Sequence, residues 1–150
     1  MTQVSIGKRL YISATAPATN TLAGYQALTW IKVGGIVSVG QIGFSHATIE
    51  APDLESGITE TLKGAQSGTG GQAAYRYIEG DAGQAAIVAA NAARENVAIQ
   101  VVDPDGETSS YWTGIVHSLI DTEASVTTYE GSTFTFVPNA ARVRGASDIA

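Results

Sequence analysis

The most constraining stretch of this chain is residues 96–120, NVAIQVVDPDGETSSYWTGIVHSLI. Two runs rich in β-branched and aromatic residues flank Asp103-Pro104-Asp105-Gly106. Pro at the second turn position and Gly at the fourth suit a type I turn, so the segment is expected to form a hairpin. In its second strand Trp112, Val116 and Ile120 share one face, and Ile115 and Leu119 the other. Both faces are partly apolar, as in a strand covered on both sides. A chain organised around such a hairpin must bury it in a layered β domain.

The flanking sequence extends this pattern. KRLYISAT alternates, with Leu10 and Ile12 toward a core and Arg9, Tyr11 and Ser13 pointing elsewhere. APATNTLAGYQAL reads as a loop with one helical turn. TWIKVGGIVSVGQIGF reads as two short strands broken at Gly34-Gly35, with Trp30 in the first. QAAYRYIEG is another strand, and ASVTTYEGSTFTFVP is a last long one with a bulge expected at Gly131. Residues 138–150 read as a polar C-terminal arm, matched by a short N-terminal one. From Glu50 to Gly71 the pattern vanishes, and a long irregular loop is expected. GTGG at 68–71 lacks the Lys-Ser/Thr and the helix start of a phosphate loop, so it reads as a flexible loop tip.

One helix interrupts the strands, at GDAGQAAIVAANAARENV, about residues 81–94. Asp81 is a good N-cap, and Gln84 sits three positions on, where its amide can reach back to the cap N–H. Small residues on several sides allow a close approach to a sheet. A helix this short draws most of its stability from packing. The sum is about seven strands in the order β-β-β-loop-β-α-β-β-β. That suits one domain over residues 1–150, a β-sandwich or partly closed barrel with one flanking helix.

Chemistry is scarce. There is no cysteine, which excludes disulfides, thiolate metal sites and cysteine catalysis. Ser45 and His46 are adjacent on a strand, so their side chains point to opposite faces and cannot pair as nucleophile and base. His117 alternates with Ile115 and Leu119 and reads as a packed or interface residue. Asp103, Asp105 and Glu107 alternate oxygen ligands but lack the spacing of a calcium loop, and a turn explains them. No catalytic, cofactor or metal site is expected. The formal net charge of −6 and scattered Lys and Arg residues argue against capture of nucleic acid or an anionic membrane. No secretory signal or apolar run of membrane-spanning length is read, so a soluble protein made in the cytoplasm is expected.

The order of the motifs adds a resemblance. LKGAQSGTGG, the strand AAYRYIEG, the helix start DAGQAAIVAA, a strand, the D-P-D-G turn and YWTGIVHSL follow one another. This series resembles the tail tube (major tail) proteins of long non-contractile-tailed bacteriophages, over about residues 30–137. Lys63-Gly64, Gly70-Gly71, Asp81, Gly83-Gln84 and Gly114 match the family pattern. Ala85 and Ala86 depart from it, standing where bulkier residues often occur.

The resemblance implies a virion tail protein assembled in the host cytoplasm, with no enzymatic activity and no cofactor. Its subunits form hexameric rings that stack into a hollow tube, filled by a tape-measure protein and closed by tail terminator and distal tail proteins. Double-stranded DNA passes through without specific binding. The 50–71 segment is then the inter-ring loop, with Asp53, Leu54, Glu55, Glu60, Lys63, Gly64, Gly70 and Gly71 as its contact residues. Gene transfer agents and contractile injection machines use related tubes. The rival from another class is a β-sandwich binding module for carbohydrate or adhesion, which needs exposed aromatics at loop tips.

Overall fold

The computed structural model describes residues 6–122, 125–127 and 130–146. The expected N-terminal arm falls largely outside them. In chain order the elements are β1 (Arg9–Ser13), α1 (Leu22–Gln26), β2 (Ile31–Val33), β3 (Ile36–Ser38), β4 (Ile42–Pro52), β5 (Thr59–Gly70), β6 (Gln72–Arg76), α2 (Ala82–Ala92), β7 (Val97–Val102), β8 (Thr108–Asp121), β9 (Gly131–Pro138) and β10 (Val143–Ala146). The fold is mainly β. One sheet runs β2-β1-β7-β8-β9-β6-β3, with β10 also on β8, and a second holds only β4 and β5. Among the described residues β2 and β3 do not pair with each other, so the large sheet does not close into a barrel.

The β7–β8 hairpin forms at the D-P-D-G turn. Gly106 N–H donates to the Asp103 carbonyl, and Gly106 takes a positive φ of 76°. Strand β8 is long enough to serve both layers. Its first half pairs with β7 and β10, and its second half pairs with β9. Every residue of β7 is buried, because each face packs on a different cluster. One face sends Val97, Ile99 and Val101 into the main core with Leu10, Ile12, Val33, Tyr75, Ile87, Trp112, Val116, Phe134 and Phe136. The other face places Ala98 with Tyr25 and Tyr111, roofed by Leu22, Leu28, Trp30 and Val143. Trp30 precedes β2, and its Nε1 donates to the Tyr25 carbonyl.

Several sequence expectations are corrected. The stretch from Glu50 to Gly71 is no irregular loop: it continues a β4–β5 hairpin in which only residues 53–58 turn. Its polar composition hid the strands, since only the root, through Ile42 and Phe44, packs against the core, and the rest of the hairpin buries neither face. The C-terminal arm is likewise no free tail, for β10 pairs with β8 and Arg144 bridges to buried Asp103. The bulge expected at Gly131 lies instead across the ladder in β8, between His117 and Ile120, where Ser118 adopts φ 56°. His117, just before the slip and on the same exposed face as Ile115, is exposed rather than packed, its Nδ1 2.7 Å from Ser118 Oγ. Ile120 is also exposed, unlike Trp112 and Val116 on the same expected face.

Helix α2 lies against β8, β2 and β1. It buries Gly83, Gln84, Ile87 and Ala90. Ala90→Leu therefore overpacks the core and should destabilise by about 1–3 kcal/mol, whereas Ala89→Leu on the exposed side should be nearly neutral. Thermal melts of the two variants check this.

A second prediction concerns buried Tyr25, whose hydroxyl donates to Asn20 Oδ1 and lies 2.6 Å from Thr113 Oγ1. Burial raises its pKa above the ordinary 10.0, opposed by the Thr113 hydrogen bond. The folded state thus holds this proton more tightly than the unfolded chain. Its contribution is fully present below pH 10.0 and is lost as pH rises through the raised value. Stability should fall in that alkaline window, and Tyr25→Phe should flatten the fall, as read from denaturation midpoints against pH.

Candidate functional site

Two constructions stand out, a polar clamp at the start of α2 and an arm that leaves the sandwich. In the clamp, Asp81 caps α2 by accepting from Gln84 N at 3.0 Å, and the same Oδ2 accepts from Gly34 N at 3.0 Å. Gln84 is buried and does not close the expected capping box. Its Nε2 donates to the carbonyls of Gly34 and Arg76, each at 2.8 Å, while Oε1 accepts from Ile78 N at 3.0 Å. Asp81 N instead donates to the Ile78 carbonyl. Gln84 thus ties the β2–β3 turn to the exit of β6, and satisfies backbone groups that would otherwise be buried unpaired. Gly83 sits between them because a Cβ there would run into the Lys32 carbonyl and Val33. Only glycine lets α2 approach β2 this closely.

The arm is the β4–β5 hairpin, paired from Ile42↔Gly70 to Pro52↔Thr59. Its root crosses β9 backbone against backbone. A Cβ on Gly68 would meet the Pro138 carbonyl, and one on Gly70 the Phe136 carbonyl. Gly71 N–H donates to the Gln41 carbonyl and closes the root. GTGG is therefore the packed root of the arm, correcting the reading of a flexible loop tip. Farther out, Gly64 lies at a bulge opposite Ala47, with Lys63 paired to Thr48 just beyond it. Glu60 pairs with Ala51 in the outer half.

The distal turn is well ordered. Asp53 Oδ1 accepts from Glu55 N at 3.0 Å and Oδ2 from Ser56 Oγ at 3.1 Å, while Gly57 N–H donates to the Asp53 carbonyl at 2.9 Å. These hydrogen bonds, led by the one from Glu55 N–H, hold the Asp53 carboxyl below its ordinary pKa. The turn presents Leu54 fully to solvent, with Ile58 beside it. Sequence reasoning found the residues of this arm but missed its strands. The signal available was the pairing of β-branched and leucine residues, Ile49 opposite Leu62, across the turn.

The remaining candidates hold no catalytic geometry. His46 is exposed on the arm, paired with Gln66. In the D-P-D-G turn, Asp105 Oδ1 accepts from Glu107 N and Thr108 N, and Asp103 meets Arg144, so the acids are engaged in the fold itself. Among the described residues no helix is long and apolar enough to cross a membrane.

Comparison with known proteins fits this architecture. No family model and no curated protein sequence matches the chain. Solved structures do. A chain from the tail of an empty gene transfer agent particle, refined with C6 symmetry, superposes with a TM-score of 0.65 at 15% identity, covering 97% of itself and 94% of this chain. A chain of the sheath-tube complex of an extracellular contractile injection system gives 0.62 at 12% identity, covering 93% and 97%. The SPP1 tail tube gives 0.59 at 16% identity, covering 77% and 94%. The chain has the fold shared by these tail and tube proteins, along nearly its whole length.

The clamp generates a prediction. Asp81→Ala should cost about 1–2 kcal/mol through the lost cap. Gln84→Ala strands three backbone groups and should cost more, about 3 kcal/mol. Calorimetric melting that places the two variants level would overturn the clamp.

Proposed function

We propose that the chain is a structural subunit of a tail tube, in a phage, a gene transfer agent or a contractile injection particle. Copies form rings, six-membered as in the C6 tail that shares the fold, and the rings stack into a hollow conduit. The observation that carries this reading is the arm. A two-stranded hairpin standing alone is marginal in water, yet this one is twelve residues long in β5 and roots its glycines against β9. An ordered arm of that length with no core of its own gains its stability from a neighbour. The open edges of the large sheet and of the arm offer unpaired backbone groups, which turns an aggregation liability into an assembly device.

The inter-ring role then falls to Asp53, Leu54, Glu55 and Glu60 in the outer arm and to Lys63 and Gly64 at its bulge, with Gly70 and Gly71 fixing the root. Asp81 and Gln84 serve the fold of the subunit. The tape-measure, tail terminator and distal tail proteins are the expected partners, in a non-enzymatic role within the virion tail. The whole of residues 1–150 acts as one tube domain. The binding-module alternative finds no support in the tryptophans: Trp112 is buried in the core and Trp30 is half-buried against Tyr111.

Purified protein should form rings or tubes when concentrated or nucleated, seen by sedimentation and negative-stain microscopy. A strictly monomeric species, even with its tape-measure partner, sinks the reading. Replacing residues 48–63 with a short turn should leave the fold intact, since loop closure changes cost about 1 kcal/mol, and should abolish stacking. Assembled tubes should bind duplex DNA with no measurable affinity at low salt, where phosphate contacts are strongest. Salt-sensitive co-sedimentation with DNA would overturn the conduit.

A further inference from the structure

A groove of about 500 Å³ opens between the end of β3 and the β7–β8 hairpin. Ile6, Val37, Val39, Val101 and Trp112 line it, and Lys8 is the one charged residue among the described lining. Ile6 is 85% exposed and Val37 55%, so apolar surface stands open to water here. Ile42, the first residue of β4, forms part of the same wall. The arm therefore springs from the rim of the groove.

Its tip lies at the far end of the eleven-residue strand β4. At strand geometry that is about 35 Å away. The tip is the chemical complement of the groove. Leu54 and Ile58 are exposed apolar side chains, and Glu55 beside them carries a negative charge. Both Asp53 oxygens are engaged within the turn, which leaves Glu55 as the free acid at the tip.

Resting on the tube reading, we infer that this groove receives the arm tip of a second copy of the chain, Leu54 and Ile58 filling it and Glu55 meeting Lys8. Three observations converge on that occupant. The charges are opposite, one Lys in an otherwise uncharged lining against an acidic tip, which sets orientation as well as attraction. The tip turn is held by its own hydrogen bonds, so docking orders little chain. Knob and hole also sit at opposite ends of one paired hairpin, so a subunit cannot fill its own groove. A contact of this kind is head-to-tail: it closes into a ring or continues as a filament, and each subunit is both donor and acceptor.

Cysteine cross-linking of the full chain tests this, since the native sequence contains no cysteine. Leu54→Cys is mixed with Val37→Cys under mild oxidation, and in parallel with Val88→Cys, which lies on the exposed side of α2. The expected result is a disulfide between Leu54→Cys and Val37→Cys chains, in excess over the Val88→Cys pairing. Lys8→Glu should raise the concentration needed for assembly by about tenfold, and Glu55→Lys in the same chain should restore it. Leu54→Ala, at a site outside the core, should raise it by about thirtyfold if the side chain anchors the contact. Rings or tubes that form without the Leu54–Val37 cross-link, or that cross-link preferentially at Val88, overturn the groove and leave the tube reading standing. If the unaltered chain never assembles, the tube reading fails and the groove fails with it.

Discussion

Burial of β7 on both faces is the constraint on which the rest of the structure depends. The strand is hydrogen-bonded along one edge to β1 and along the other to β8. Neither face reaches water, so each needs its own cover. The main core covers one face, brought over by α2, β6 and β9. Tyr25, Trp30 and β10 cover the other, over the Gln100 side chain, whose Nε2 donates to Ser109 Oγ and Tyr111 Oη. The short helix that interrupts an all-β sequence belongs to this requirement: it lays Ile87 and Ala90 on the main core. Gln84 then secures its entry by holding three segments at one amide.

With the sandwich fixed in this way, the arm is free to be something other than core. Its root is fixed by glycine backbone pressed on β9 and by Ile42 and Phe44 packed against the main core, and its outer part is held by ladder hydrogen bonds and by the Asp53 turn. A rigid base with a thinly stabilised extension is the arrangement expected where one element must stay ordered enough to find a partner. It also gives up apolar contacts of its own until that partner arrives.

Much of this was legible in the sequence. The D-P-D-G hairpin and the helix with its Asp81 cap came from periodicity and turn chemistry, whereas two-sided cover was expected of β8, where Ile115 and Ile120 are exposed, and is complete instead in β7. These elements are local, and their side chains report their environment. What stayed hidden was non-local. The strands of the arm carry Thr, Ser, Gly, Gln and Glu on both faces, so no alternation betrays them, and pairing alone makes them strands. The Gln84 contacts bridge residues 34, 76 and 78, which no capping rule anticipates. The glycines at 68 and 70 read as looseness, whereas they mark a close backbone crossing with β9. The slip at Ser118 moved Ile120 off the face of Trp112 and Val116, because one irregularity reverses the facing of every residue beyond it.

The continuous pairing of the arm on either side of its bulge has a metrical consequence. The length of a paired hairpin is counted in residues. If knob and hole lie at its two ends, the spacing between successive subunits is written into β4 and β5 as a ruler, graduated at about 7 Å for every two residues. Lengthening both strands by two would keep Leu54 facing the same way and lengthen the step. Lengthening them by one would turn it to the opposite side. The periodicity of the whole assembly is then encoded in the residue count of a single hairpin.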